Sequence, residues 1–121
     1  MTREWTIPLP YVKPPLTLNS RLHWANHARI TEALVGVGIV YTRKLRIPPL
    51  EKFTAVLHYE PSTIRGRDAD NLAPTVKPVV DGMCRANRIQ DTADHYIPAA
   101  PVIHPATGKP GRLWLVVVDL S

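Results

Sequence analysis

The chain has 121 residues, 45% of them hydrophobic, which is the size and composition of one folded domain rather than of a disordered segment. No apolar run approaches the roughly 20 residues of a membrane span, and Met1-Thr2-Arg3-Glu4-Trp5 has no apolar signal region, so the expected location is cytoplasmic. One cysteine, Cys84, excludes an internal disulfide and reads as a buried structural thiol. The net charge is +5, which suits a polyanionic partner, nucleic acid first.

In chain order, Trp5 and Ile7 alternate with polar residues, so residues 3–8 read as a strand. Pro8, Pro10, Pro14 and Pro15 make the next segment extended and irregular. Trp24, His27, Ile30, Leu34, Val37, Tyr41 and Leu45 recur at three and four, predicting a helix over about 22–46. Asn19 or Ser20 would cap it, Pro48 and Pro49 end it, and Gly36 and Gly38 invite a break in its middle. Phe53, Ala55, Leu57 and Tyr59 share one face of a strand over 52–60. A second helix follows over 71–84, with Leu72, Val76, Val80 and Met83 as its buried stripe. Pro74 suits its first turn, whereas Pro78 should kink it. An extended stretch near 94–103 is confined to a sheet edge by Pro98 and Pro101. The last strand, 112–120, is apolar on both faces and should be central and covered. The expected fold is α/β (α+β): one small domain over 1–121, with a mixed sheet and two main helices in the order β-α-β-α-β-β.

The charge is unevenly placed. Residues 68–94 hold Asp68, Asp70, Asp81, Asp91 and Asp94 but only Lys77, Arg85 and Arg88, leaving +7 on the remainder. An acidic centre in a basic chain suits a metal-dependent nuclease, in which basic surface holds the phosphate backbone and carboxylates hold the ion. Asp68 and Asp70 point the same way if the chain is extended there. Magnesium takes one or two such carboxylates and completes its shell with water and phosphate oxygens. Lys77 and Asp81 are four apart, on a face other than the buried stripe, where Lys77 can stabilise charge on a phosphate or protonate a leaving oxygen. The same residues also admit a bland reading: Asp70 or Asn71 as a helix cap, Lys77–Asp81 as a surface ion pair, and Asp91 and Asp94 as loop residues. The five histidines show no zinc-site spacing.

The run Arg67-Asp68-Ala69-Asp70-Asn71-Leu72, then Lys77, Asp81-Gly82 and Asp91, resembles the RusA-type Holliday junction resolvases. Leu18-Asn19-Ser20-Arg21-Leu22-His23-Trp24 fits the family's N-terminal part. The resemblance implies a homodimer that binds four-way DNA junctions and cuts them symmetrically with Mg2+ or Mn2+. It assigns the essential acids to Asp68, Asp70 and Asp91, and matches Lys77 and Asp81 to two further motif positions. The gap from Asn71 to Lys77 is longer than in the best-known members, and Gln90 stands where an acidic pair is usual. The expectation is therefore a metal-dependent endonuclease resolving Holliday or other branched junctions. Asp68, Asp70, Asp91 and Asp81 are its metal ligands, and Arg65, Arg67, Arg85 and Arg88 its DNA contacts. The competing expectation is a non-catalytic basic DNA-binding module.

Overall fold

The computed structural model describes residues 3–17, 23–63 and 72–121. Strand β1 spans Glu4–Leu9, helix α1 Trp24–Lys44, β2 Phe53–Glu60, α2 Ala73–Ala86, β3 Val102–Ile103 and β4 Arg112–Asp119. One 3-10 turn, Thr92–Asp94, separates α2 from β3. The result is the expected α+β domain, a mixed four-stranded sheet in the order β1-β4-β2-β3 with two helices. Among the described residues no helix is long and apolar enough to cross a membrane.

The last strand sits in the middle. β4 runs antiparallel to both β1 and β2, pairing Ile7 with Leu115 on one side and Leu57 with Leu115 on the other. β1 and β2 are therefore parallel to each other, and β3 is parallel to β2. Two crossovers, β1-α1-β2 and β2-α2-β3, thus step in the same direction along the sheet. Right-handed crossovers send both helices to the same face. The core agrees: Leu34 of α1 and Val79 and Val80 of α2 are buried together with Ile7, Leu57, Leu115 and Val117. β4 is central, as the sequence suggested, but it is not covered on both sides. Trp114, Val116 and Val118 lie on the helix-free face and are only half buried.

The helices cross at two glycines. A Cβ on Gly38 would strike the Val79 carbonyl oxygen, and one on Gly82 would strike that of Val35. Gly38 therefore does not break α1, which is continuous; it lets the backbones touch. Gly36 faces open space. The buried line of α1 is Leu34, Val35, Gly38 and Thr42. Trp24 is 76% exposed and His27 is exposed, so the expected apolar stripe fails over the first turns, which overhang the core. The N-cap is His23, whose Nδ1 accepts from the Ala25 N–H. Asn19 and Ser20 lie outside the described residues. Helix α2 runs through Pro78 without ending, since the buried ring packs in the core and offsets the lost hydrogen bond. Of the expected stretch 94–103 Val102 and Ile103 form an edge strand, as expected, and Tyr96 makes an isolated parallel bridge to Phe53; Pro98 and Pro101 interrupt the pairing between them.

On the helix-free face, His58 Nδ1 and His104 Nε2 are 3.0 Å apart, and both rings lie against Trp114, which Arg112 overlies. One hydrogen bond joins the two nitrogens, the donor being set by the tautomer. Burial, and secondarily the charge of His104, hold His58 below its ordinary value of 6.5.

Two outcomes follow from this packing. Gly38→Ala should cost about 1–3 kcal/mol in chemical denaturation by overpacking the crossing, whereas Gly36→Ala should gain about 0.5–1 kcal/mol. Because the unfolded chain takes up a proton at His58 before the folded one does, stability from His58 is complete above about pH 6.5 and is lost as pH falls through the lower folded value. The melting temperature should fall below about pH 6.5, and less steeply in His58→Phe; equal slopes would refute the linkage.

Candidate functional site

The site residues of the described chain lie on one edge of α2. Thr75, Val76, Val79, Val80, Met83 and Cys84 are buried, and this leaves Ala73, Lys77 and Arg85 exposed with Asp81 half exposed. Ala73, Lys77, Asp81 and Arg85 are each four apart and so form a single line along the helix. Lys77 Nζ donates to Asp81 Oδ1 at 2.9 Å. The pair is largely solvated, so its contribution to stability is at most about 1 kcal/mol. The edge starts where the 64–71 segment joins at Leu72 and ends at the loop that carries Asp91. Arg65, Arg67, Asp68 and Asp70 lie outside the described residues.

The start of α2 is fixed from below. Thr75, fully buried, donates its hydroxyl to the Leu16 carbonyl at 2.6 Å and accepts from the Leu16 N–H at 3.2 Å. One side chain thereby pins the proline-rich segment to the first turn of the helix. The N-cap residue is Leu72, whose side chain has no acceptor; Asn71, like Asp70, lies outside the described residues.

The end of α2 is closed by a Schellman motif. Ile89 N–H reaches the Cys84 carbonyl and Arg88 N–H that of Arg85, with Arg88 in the left-handed region at φ 60°. Helix α1 ends the same way, through Ile47 to Thr42 and Arg46 to Arg43, with Arg46 at φ 55°. Asn87 Nδ2 donates to the Ile47 carbonyl and ties the two ends together.

After Arg88 the chain turns back along the helix. Thr92 reaches the Cys84 side chain, and an open hollow of about 490 Å³ forms between Asp81, Arg85, Arg88, Ile89, Gln90 and Thr92. Asp91 is exposed beside it. Burial, above all, pushes the Cys84 thiol up, in keeping with a structural role. Asp94 lies farther on: Lys52 Nζ donates to its carbonyl at 2.7 Å, near the start of β2.

Among the described residues no three His, Cys, Asp or Glu side chains converge as a metal site. The carboxylates present, Asp81 and Asp91, offer only oxygen, the donor that Mg2+ and Mn2+ prefer. An ion seated on Asp81 would share that carboxylate with Lys77. The donor chemistry fits a hard divalent ion, while the number of ligands requires acids from beyond the described residues. Thr75, Thr92 and Gln90 were not anticipated as site residues. The signal for Thr75 was a hydroxyl on the buried stripe of α2, and for Gln90 its place where an acidic pair is usual; Thr92 gave none.

No protein-family model and no curated protein matches the chain.

The left-handed arginines give a direct test. Holding a non-glycine residue there costs about 1–2 kcal/mol. Arg46→Gly and Arg88→Gly should each stabilise the fold by up to about 1 kcal/mol in urea titration. A loss of stability in Arg88→Gly would mean that its side chain, not its backbone, supports the fold.

Proposed function

We propose that the protein is a metal-dependent endonuclease that cuts branched DNA, four-way junctions foremost, in the manner that its resemblance to the RusA-type resolvases implies. One observation carries the reading. The exposed edge of α2, with Lys77, Asp81 and Arg85 in line, runs from the chain that follows Asp68 and Asp70 to the loop that holds Asp91. The charged residues of the motif that are described, Lys77, Asp81 and Asp91, all remain open to solvent, while its Leu72 and Gly82 go to the core and the helix crossing.

In this reading Asp68, Asp70 and Asp91 hold Mg2+ or Mn2+, with Asp81 adjoining. When bound, the ion supplies an activated water and neutralises charge on the phosphate. Lys77 offers ammonium donors beyond the one given to Asp81, and these can reach a phosphate oxygen. Arg85 and Arg88 rim the hollow and, with Arg65 and Arg67, would grip the backbone on either side of the cut. A backbone-led grip of this kind weakens steeply with salt. The working form is a homodimer, since paired cuts need two sites, and the compartment is the cytoplasm.

The non-catalytic DNA-binding reading has its own support in Gln90, which replaces an acid beside Asp91. The two readings separate in one assay. A labelled four-way junction and a matching linear duplex are incubated with Mg2+, Mn2+ or EDTA. The nuclease reading expects metal-dependent nicking of the junction but not the duplex. It also expects Asp70→Asn to lower cutting by at least about 100-fold while junction binding persists. Binding without cutting under every metal condition would favour the second reading, and wild-type cutting by Asp70→Asn would remove Asp70 from the site.

A further inference from the structure

The spacing of the histidines in sequence matches no zinc motif, but the sheet brings two of them together. His58 stands on β2, and His104 directly follows β3, where its N–H reaches the Tyr59 carbonyl at 2.8 Å. His58 Nδ1 and His104 Nε2 are 3.0 Å apart, their ring centres 5.2 Å apart and their planes 25° from parallel. These values together leave only an edge-to-edge meeting, with the facing nitrogens nearly in one plane. Trp114 backs both rings, its centre 5.3 Å from that of His58 and 5.1 Å from that of His104. All three side chains are half-buried, so the pair is supported on one side and open to solvent on the other.

Two nitrogens at this separation can share a hydrogen bond or a metal ion. Ligands about 2.0–2.1 Å from one ion lie roughly 2.9–3.4 Å from each other when the angle at the metal is about 90–110°. The observed 3.0 Å falls inside that range. Reaching the ion asks each ring to turn in its own plane, a motion that slides over the flat Trp114 face without breaking the stack. No proton has to leave. Each neutral imidazole carries one N–H, and the tautomers protonated at His58 Nε2 and His104 Nδ1 bare both facing nitrogens.

We infer that His58 and His104 form a two-histidine site for a late first-row divalent ion, Zn2+, Cu2+ or Ni2+, with water completing its coordination. Imidazole nitrogen suits these ions, whereas the carboxylates around α2 suit Mg2+ and Mn2+. The bound ion clips β3, an edge strand of two residues, to its neighbour β2. Nearby charge permits a cation. Arg112 overlies Trp114, but its guanidinium is paired with the Glu60 carboxylate at 3.2 Å. The site lies on the helix-free face, opposite α2, and binding is measured without DNA. The nuclease reading and this site therefore stand or fall separately.

The test is calorimetric titration of the full chain with Zn2+, after stripping with EDTA and with about 5 mM Mg2+ present to occupy carboxylates. The wild type should bind Zn2+ with a dissociation constant of about 1–100 µM, as two protein ligands allow. His58→Phe and His104→Phe keep an aromatic ring against Trp114 and should each weaken binding by at least about tenfold, with an unchanged circular dichroism spectrum. Saturating Zn2+ should raise the melting temperature of the wild type by about 5 °C or more and leave both variants unmoved. Cu2+ should quench indole fluorescence in the wild type, and Trp114→Phe should remove that quenching. His23 and His27 lie one turn apart at the start of α1, so His27→Ala is the control and should bind as the wild type does. Absence of Zn2+ binding up to about 1 mM overturns the proposal. So does wild-type affinity in both phenylalanine variants, or loss of binding in His27→Ala. Should a phenylalanine variant not fold, His104→Gln answers the same question.

Discussion

The insertion of β4 between β1 and β2 governs this molecule. Antiparallel to both, β4 forces β1 and β2 parallel and makes α1 a crossover connection, and the parallel pairing of β3 with β2 makes α2 a second one. Crossovers that step the same way with the same hand must place their helices on one face. From this follow a core built only between the helices and one side of the sheet, and a second side left open. The burial pattern of β4 records the asymmetry: Leu113, Leu115 and Val117 are buried, while Trp114, Val116 and Val118 stay half open.

Crowding two helices onto one face makes their crossing tight, and Gly38 and Gly82 meet that demand. The tight crossing in turn sets which edge of α2 faces water. With seven of its fourteen side chains from Thr75 to Cys84 buried and Gly82 spent on the crossing, α2 has only the Ala73-Lys77-Asp81-Arg85 edge left for chemistry. Its two ends are held by different means, the Thr75–Leu16 clamp at the start and paired Schellman turns joined by Asn87 at the finish. A helix fixed at both ends gives its charged edge a defined position, as any site that must grip a phosphate requires.

Much of this was legible in the sequence. Both helices and the three long strands follow from period and prolines, because hydrophobic spacing reports burial directly. The central place of β4 was legible from its two apolar faces, yet its half-open side was not. Apolar periodicity cannot tell a face covered by helices from one left open. Trp24 and His27 misled for a related reason: the stripe of α1 continues in sequence past the point where the core ends. Gly38 read as a helix breaker because a contact between distant backbones leaves no local mark. The Thr75 clamp was hidden likewise, since its partner lies 59 residues away. Of the candidate site, Lys77 and Asp81 share one helix edge as their spacing suggested, and Arg85 continues that edge with Arg88 just beyond it. Asp68 and Asp70 lie outside the described residues.

The central claim is that the acids before α2 and the acid after it serve one ion. A double-mutant cycle on Mn2+ affinity tests this most directly. Calorimetric titration of the wild type, Asp70→Asn, Asp91→Asn and the double variant gives the four affinities. If both carboxylates hold the same ion, each single substitution should weaken binding by at least about tenfold, and the double should fall short of the sum by more than about 0.5 kcal/mol. Additive losses, or full affinity in Asp91→Asn, would contradict a shared site.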